Sequence, residues 1–235
     1  MRNFYSFVVP IYNEKKNIAP TINEIEKYFS NEKFEILFVD DNSPDGSADE
    51  VNYISSKNQK IRLIQHGKKE GIGAALNYGC KYTNGNLIVF IDADLSQSPK
   101  FINDMTLIIH QNYDMVIGSR YMKNSKILNQ SLFKKTGSYM FNIFTRFLLK
   151  IKLTDITHSF RIFKKKVFID LEDQLNEKGH PSFTIQLTNL ALKNKFKLTE
   201  YPITFIERDS SQGVSKLSIT KELISSIRLV IRSIL

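Results

Sequence analysis

Asp92 and Asp94 stand at the end of the apolar run Leu87-Ile88-Val89-Phe90-Ile91. A strand this apolar is buried on both faces, so carboxylates gather only where it ends and the sheet opens to solvent and ligand. Residues i and i+2 of an extended segment project the same way, which turns both carboxylates toward one hard divalent cation that takes oxygen ligands. The plainer alternative is a pair of solvated acids opening a turn before Pro99. A second acidic strand end, Asp40-Asp41, continues as Asn42-Ser43-Pro44-Asp45-Gly46-Ser47, a turn that caps the next helix. Asp41, just beyond that strand, is placed to accept hydrogen bonds from the N–H groups of a nucleobase. Gly71-Ile72-Gly73-Ala74-Ala75-Leu76 follows a strand and opens a helix, the outline of a dinucleotide-binding fingerprint. Leu76 takes the place of the third small residue, and the motif lies on the third strand instead of the first. The better reading is a helix amino terminus whose N–H groups, with Lys69, approach a diphosphate.

These loops need strands to position them. Apolar runs predict strands at Tyr5 to Ile11, Phe34 to Asp40, Ile61 to Gln65, Leu87 to Asp92 and Asp114 to Gly118. Helical periodicity falls between them, at Lys16 to Phe29, Ala48 to Lys57, Ile72 to Tyr82 and Pro99 to His110. The series is α/β, a mostly parallel Rossmann-like sheet flanked by helices, with ligands expected beyond the carboxyl ends of the strands. After Arg120 the pattern changes to a loop at Lys123 to Gln130, a helix at Ser138 to Lys150 that is apolar nearly all round, and a polar turn at Asp155 to Arg161. A short strand at Ile162-Phe163, helices at Lys165 to Asn176 and Phe183 to Asn194, and a strand near Leu198 to Ile203 complete the reading.

With 235 residues, 42% of them hydrophobic, the chain can bury a sizeable core. Cys80 is the sole cysteine, which excludes an internal disulfide and a cysteine-rich zinc site and fits a cytoplasmic compartment. His66, His110, His158 and His180 are too scattered for a metal cluster. The first strand begins close to Met1, leaving an expectation of no signal peptide, and no run of 18 apolar residues suggests a membrane span. A net charge of +9, concentrated beyond Lys123, implies an anionic partner without choosing among nucleic acid, anionic lipid and phosphorylated small molecules.

The segments VVPIYNE at 8–14, DDNSPDGS at 40–47, Lys-x-Gly-x-Gly at 69–73, DADLSQSP at 92–99, GSRY at 118–121 and DITHSFR at 155–161 carry a resemblance in common. Together they resemble a family 2 glycosyltransferase of the GT-A fold, and more narrowly the dolichyl (polyprenyl) phosphate mannose synthases. The resemblance implies that Pro10, Tyr12, Glu14, Asp41 and Lys69 hold the base, ribose or diphosphate of a nucleotide sugar. It implies that Asp92, Asp94 and Ser96 meet Mg2+ or Mn2+, with Ala93 backing the nucleotide. On the acceptor side it implies Arg120, Lys134, Ser138, Arg161, Arg208 and Lys216, with Asp94, Asp155 and Arg120 nearest the chemistry. Asp155 matches the family's candidate base; the alternative is that it orients Arg161 or a sugar hydroxyl. His66 replaces a frequent Arg, Lys134 stands for an Arg, and Ser159 stands for the Gly of a Gly-Phe-Arg turn.

The expected activity is inverting, metal-dependent transfer of a hexose, mannose from GDP-mannose, to a polyprenyl phosphate at the cytoplasmic membrane face. A UDP sugar donor, a soluble or polysaccharide acceptor and a basic nucleic-acid-binding protein are the rivals; the last leaves Asp92 and Asp94 without a role. Residues 1–216 form the catalytic domain, 1–120 facing the donor and 121–216 the acceptor. In 217–235, Leu223, Ile224, Ile227, Val230, Ile231 and Ile234 share a helical face beside Lys221, Arg228 and Arg232, the pattern of an interfacial helix. The helix of Met140, Phe141, Ile143, Phe144, Phe147 and Leu148 is a second membrane-facing candidate, with ordinary core as its alternative. A membrane-subunit partner is also compatible with the sequence.

Overall fold

The computed structural model describes residues 3–67 and 69–207. Arg208, Lys216 and the helix expected over 217–235 lie outside the described residues. In chain order the elements are β1 (Phe4–Ile11), α1 (Lys15–Phe29), β2 (Lys33–Asp40), α2 (Ser47–Ser55), β3 (Ile61–Gln65), α3 (Ile72–Cys80), β4 (Leu87–Phe90), α4 (Phe101–Ile109) and β5 (Met115–Ser119). There follow β6 (Lys126–Leu128), α5 (Leu132–Leu149), β7 (Arg161–Lys164), α6 (Lys165–Leu171), a 3-10 turn at Glu172–Gln174, α7 (Ser182–Lys193), β8 (Leu198–Pro202) and β9 (Thr204–Ile206).

The strands are buried on both sides because they pleat between two helical layers. Phe7, Val9 and Phe38 project to one face with Ile18, Ile22 and Phe29 of α1 and Ile102 and Met105 of α4. Val8, Val39 and Phe90 project to the other, against Leu76 and Cys80 of α3 and Phe183 and Leu187 of α7. Cys80 is thus a small core hydrophobe, and burial pushes its thiol pKa up. One sheet in the order β3-β2-β1-β4-β7-β5-β8 runs through both halves of the chain. All its pairings are parallel except those of β7, which is antiparallel to β4 and β5.

That reversal matters for the site. In a parallel sheet only the loops that follow strands reach the carboxyl edge. Because β7 runs backward, with Arg161 opposite Phe90, the segment that precedes it arrives at the edge where β4 releases Asp92.

The second half departs from expectation in three places. The loop expected over 123–130 contains β6, which pairs in parallel with β9 in a separate small sheet. α5 starts six residues before Ser138, at Leu132, where Ser131 caps it by accepting from the Lys134 N–H. The expected helix Lys165 to Asn176 stops at Leu171 and passes into the 3-10 turn. Of the two alternatives for α5, ordinary core is not what forms: its buried residues are Asn142 and Thr145. Leu132, Phe133, Met140, Phe144 and Phe147 are exposed, Phe133 by 89% and Phe147 by 79% among the described residues.

Candidate functional site

Beyond β4 the chain makes a tight turn. The Leu95 N–H donates to the Asp92 carbonyl, and Asp94 Oδ1 accepts from the Ser96 N–H at 3.0 Å and its hydroxyl at 2.6 Å. These bonds hold Leu95 at φ +55°, a left-handed conformation uncommon for a branched side chain. Thr21 of α1 donates to the Ala93 carbonyl at 2.7 Å, so the middle of the motif is bolted to the helix layer. The Asp92 carboxylate receives Ser159 Oγ at 3.1 and 3.2 Å and Gln97 Nε2 at 3.3 Å. Its pKa is pushed up to about 6, first by burial and then by the charge of Asp94, against the pull of Ser159, Gln97 and Arg120.

Two acids whose charges oppose one another are what a divalent cation relieves. The described residues hold no group of three or more His, Cys, Asp or Glu side chains placed for a metal. A pair suits a small hard cation that takes one or two protein carboxylates and completes its shell with substrate phosphates and water. Gln97 Oε1, buried and without a hydrogen-bond partner beside Asp92, is a further oxygen that the motif match did not single out.

Arg120 follows β5 and Asp155 precedes β7, so the reversed strand brings them together. Arg120 Nε donates to Asp155 Oδ2 at 2.7 Å, Nη2 to Oδ1 at 3.1 Å, and the Arg120 N–H adds a third bond at 3.2 Å. Thr157 Oγ1 receives the same guanidinium at 2.9 Å. Burial alone would raise the Asp155 pKa, but the Arg120 charge and hydrogen bonds hold it down at about 2. Asp155 is therefore ionised and fully engaged as the orienting partner of Arg120, not of Arg161. Backbone N–H groups of Thr154 and Asp155 are in turn held by Glu200 of β8. Burial and the nearby Arg120 drive the His158 pKa well below its usual value, and His180 falls to about 4 for the same reasons, so both rings stay neutral.

Arg161, expected among the acceptor cations, lies elsewhere: it is the largest fully buried side chain, 0% exposed, behind the 155–160 segment. Its fork donates to the carbonyls of His158, Ser159 and Thr184 and to Thr188 Oγ1. Of the other residues expected on the acceptor side, Ser138 on α5 bonds Tyr121 Oη at 3.0 Å, next to Arg120. Lys134 is exposed on α5 and pairs with Glu207 at 2.6 Å.

Among the residues expected to hold the nucleotide, Asp41 Oδ1 meets His66 Nδ1 at 2.7 Å and Oδ2 accepts from the Gly71 N–H at 3.1 Å. Burial raises its pKa despite these bonds. The Lys69 ammonium lies 3.8 Å from the Tyr12 ring centre, a cation–π contact between two expected donor residues. Pro10, near the carboxyl end of β1, pairs with Val39, and the Glu14 N–H donates to Ser47 Oγ across the same edge. The α3 amino terminus does not present itself as expected. The Ala74 N–H is taken by the Lys178 carbonyl at 3.0 Å, and an added Cβ at Gly73 would lie 2.5 Å from the Gly179 carbonyl oxygen. Glycine there serves the packing of helix against loop.

Sequence reasoning missed Gln97, Thr157, Glu200 and Asn142. Asn142 ties α5 to the loop before β7, donating to the Thr154 carbonyl at 2.6 Å and accepting from the Ile156 N–H at 3.1 Å. Gln97 and Thr157 lay inside quoted motifs; nothing local marks Glu200 or Asn142.

The sequence profile described as "Glycosyl transferase family 2" matches residues 6–172. The chain is 32% identical over 219 residues, 90% of its length and 80% of the relative's, to a polyprenol monophosphomannose synthase of Mycolicibacterium smegmatis. It is 33% identical over 215 residues to a dolichol-phosphate mannosyltransferase of Pyrococcus furiosus, covering 90% of this chain and 58% of that protein. Glucosyl-3-phosphoglycerate synthase from Mycobacterium tuberculosis, crystallised with Mn2+, UDP and phosphoglyceric acid, superposes with a TM-score of 0.70 at 15% identity over 99% of this chain and 78% of that one. Mannosyl-3-phosphoglycerate synthase from Rubrobacter xylanophilus gives 0.65 at 16% identity over 98% and 73%. The fold is GT-A, and with the profile spanning β1 to α6 and the acid pair on its carboxyl edge, this chain belongs to glycosyl transferase family 2, as a hexosyltransferase.

Proposed function

We propose that the protein transfers mannose from GDP-mannose to a polyprenyl phosphate, with inversion, at the cytoplasmic face of a membrane. The observation that carries this is the placement of Arg120, oriented by Asp155, across from the Asp92 and Asp94 carboxylates. The names of the mannosyl-transferring relatives support the sugar and the lipid phosphate.

Asp92 and Asp94, with Ser96, are the residues that would hold Mg2+ or Mn2+. When bound, that cation neutralises diphosphate charge and so assists its departure as a leaving group. The acceptor requires no strong base, because a phosphate monoester has a second pKa near 6, as judged from phosphorylated side chains, and is largely dianionic at neutral pH. One phosphate oxygen bonds to the anomeric carbon, the bond from that carbon to the diphosphate breaks, and no proton changes hands. Arg120 meets the acceptor anion and lowers the repulsion between two negative reactants. Asp155 fixes the guanidinium fork and stays ionised. Lys134 and Ser138, on the α5 side of Arg120, extend the acceptor site toward the apolar face of the helix, where an isoprenoid tail remains in lipid. Among the described residues no helix is long and apolar enough to cross a membrane. Arg208 and Lys216 are assigned to the acceptor by resemblance, and Pro10, Tyr12, Glu14, Asp41, Lys69 and Ala93 to the donor.

Thermal shift with GDP, GDP-mannose, UDP and UDP sugars, with and without Mn2+, tests the donor, because ligands of the native state raise its Tm. GDP compounds with Mn2+ are expected to give the largest shift. A larger UDP shift would replace the donor, and no nucleotide shift at all would remove the reading.

A further inference from the structure

Arg161 is a guanidinium in a fully buried position with no carboxylate partner among the described residues. Burying a charge without an ion pair is costly unless its donors are all used, so the site must need what the fork provides. What it provides is backbone order. Nη2 holds the His158 carbonyl, Nε holds the Ser159 carbonyl at 3.1 Å, and Nη1 reaches Thr188 Oγ1 at 3.1 Å and the Thr184 carbonyl at 3.4 Å on α7. The Thr157 carbonyl accepts from Thr184 Oγ1 at 3.2 Å. Three successive carbonyls, 157 to 159, are therefore drawn toward α7 or the buried fork. The alternate side chains Thr157 and Ser159 meet the site instead, one on the Arg120–Asp155 pair and one on both oxygens of Asp92.

We infer that Arg161 is a positioning residue that acts through Ser159 on the Asp92 carboxylate, and is not a ligand of the acceptor phosphate. The inference rests on the donor-site reading above. Supports behind a ligating carboxylate matter for about 10- to 100-fold in affinity or activity. Arg161→Lys keeps a charge but cannot span carbonyls and α7 together. Ser159→Ala removes the contact with Asp92 and leaves the guanidinium untouched.

Both variants are compared with the wild type by calorimetry of GDP and UDP binding with Mn2+, and by steady-state kinetics with polyprenyl phosphate. Each is expected to weaken Mn2+-dependent nucleotide binding by about tenfold or more and to lower kcat, leaving the acceptor KM unchanged. A raised acceptor KM with intact nucleotide affinity in Arg161→Lys would overturn the inference. If Arg161→Lys does not fold, full nucleotide affinity in folded Ser159→Ala overturns it equally. If the wild type binds neither nucleotide with Mn2+, the donor reading fails by itself. Amide hydrogen exchange at 158–160 then decides: loss of protection in Arg161→Lys sustains the positioning role, and unchanged protection ends it.

Discussion

At the scale of single residues the two key carboxylates are tuned in opposite directions, and each direction has a measurable sign. Asp92 has a folded pKa of about 6, above its value in the unfolded chain. The folded state therefore binds the extra proton between roughly pH 4 and 6, and stability falls as pH rises through that window, by at most about 3 kcal/mol. The Tm of the metal-free protein should drop between about pH 4 and 6, the window between the unfolded and folded pKa values of that carboxylate; Asp92→Asn should flatten the profile while abolishing Mn2+-dependent nucleotide binding. Turnover unaffected by the substitution would remove Asp92 from the metal site. Asp155 is the reverse case. Its folded pKa of about 2 means that its contribution is present above the ordinary carboxylate range and is lost as pH falls through that range toward 2. Asp155→Asn leaves the Arg120 charge inadequately partnered and should cost about 3–5 kcal/mol in denaturant unfolding. A pH–rate profile with no acidic limb assignable to protonation of Asp155 above about pH 3 is the companion expectation, since a carboxylate this acidic is a poor proton acceptor.

At the scale of elements, α5 inverts the usual amphipathic rule. Phe144 and Phe147 face outward, whereas Asn142 and Thr145 face the protein. Phe144→Asp with Phe147→Asp should leave the Tm nearly unchanged and reduce co-sedimentation with anionic vesicles; a large fall in Tm would instead mean that this face is covered. Asn142→Ala, the smaller change, should cost about 1–3 kcal/mol for each backbone group it strands, the Thr154 carbonyl and the Ile156 N–H. The first-half elements were legible because long apolar runs and helical periods over nine or more residues outweigh local ambiguity; Ile61 to Gln65 matched at both ends. β6 and β9 were not, because three residues carry no period. For α5, periodicity showed a helix that is apolar nearly all round but could not say which side meets the rest of the protein. The acid motif was legible for a similar reason: its chemistry sits in consecutive residues. Arg161 was misplaced because an arginine's destination depends on the Thr184 carbonyl and Thr188 hydroxyl of α7, twenty-odd positions away in the chain.

At the scale of the molecule, charge and sheet order divide the labour. The expected donor residues sit on loops that follow parallel strands, and the backward run of β7 delivers the 155–159 segment to the same edge, where it meets Arg120 and Asp92. Vesicle association by a chain of net charge +9 should weaken steeply with salt, because each basic residue near an anionic surface contributes only about 1 kcal/mol and is screened within a Debye length. Salt-independent sedimentation would assign the attachment to apolar insertion alone. The last described strand adds something for anyone redesigning the chain. β9 forms part of the site's wall: the Ile206 N–H is bonded to the Ser96 carbonyl, Phe205 bridges Gln97, and the Glu207 N–H returns to Leu128. Residues 204–207 therefore behave as a latch on the acid-bearing turn. A minimal catalytic fragment cannot be cut ahead of them, even though the profile match ends at 172, and a split or circularly permuted version would have to place its break somewhere other than the short connection between β8 and β9.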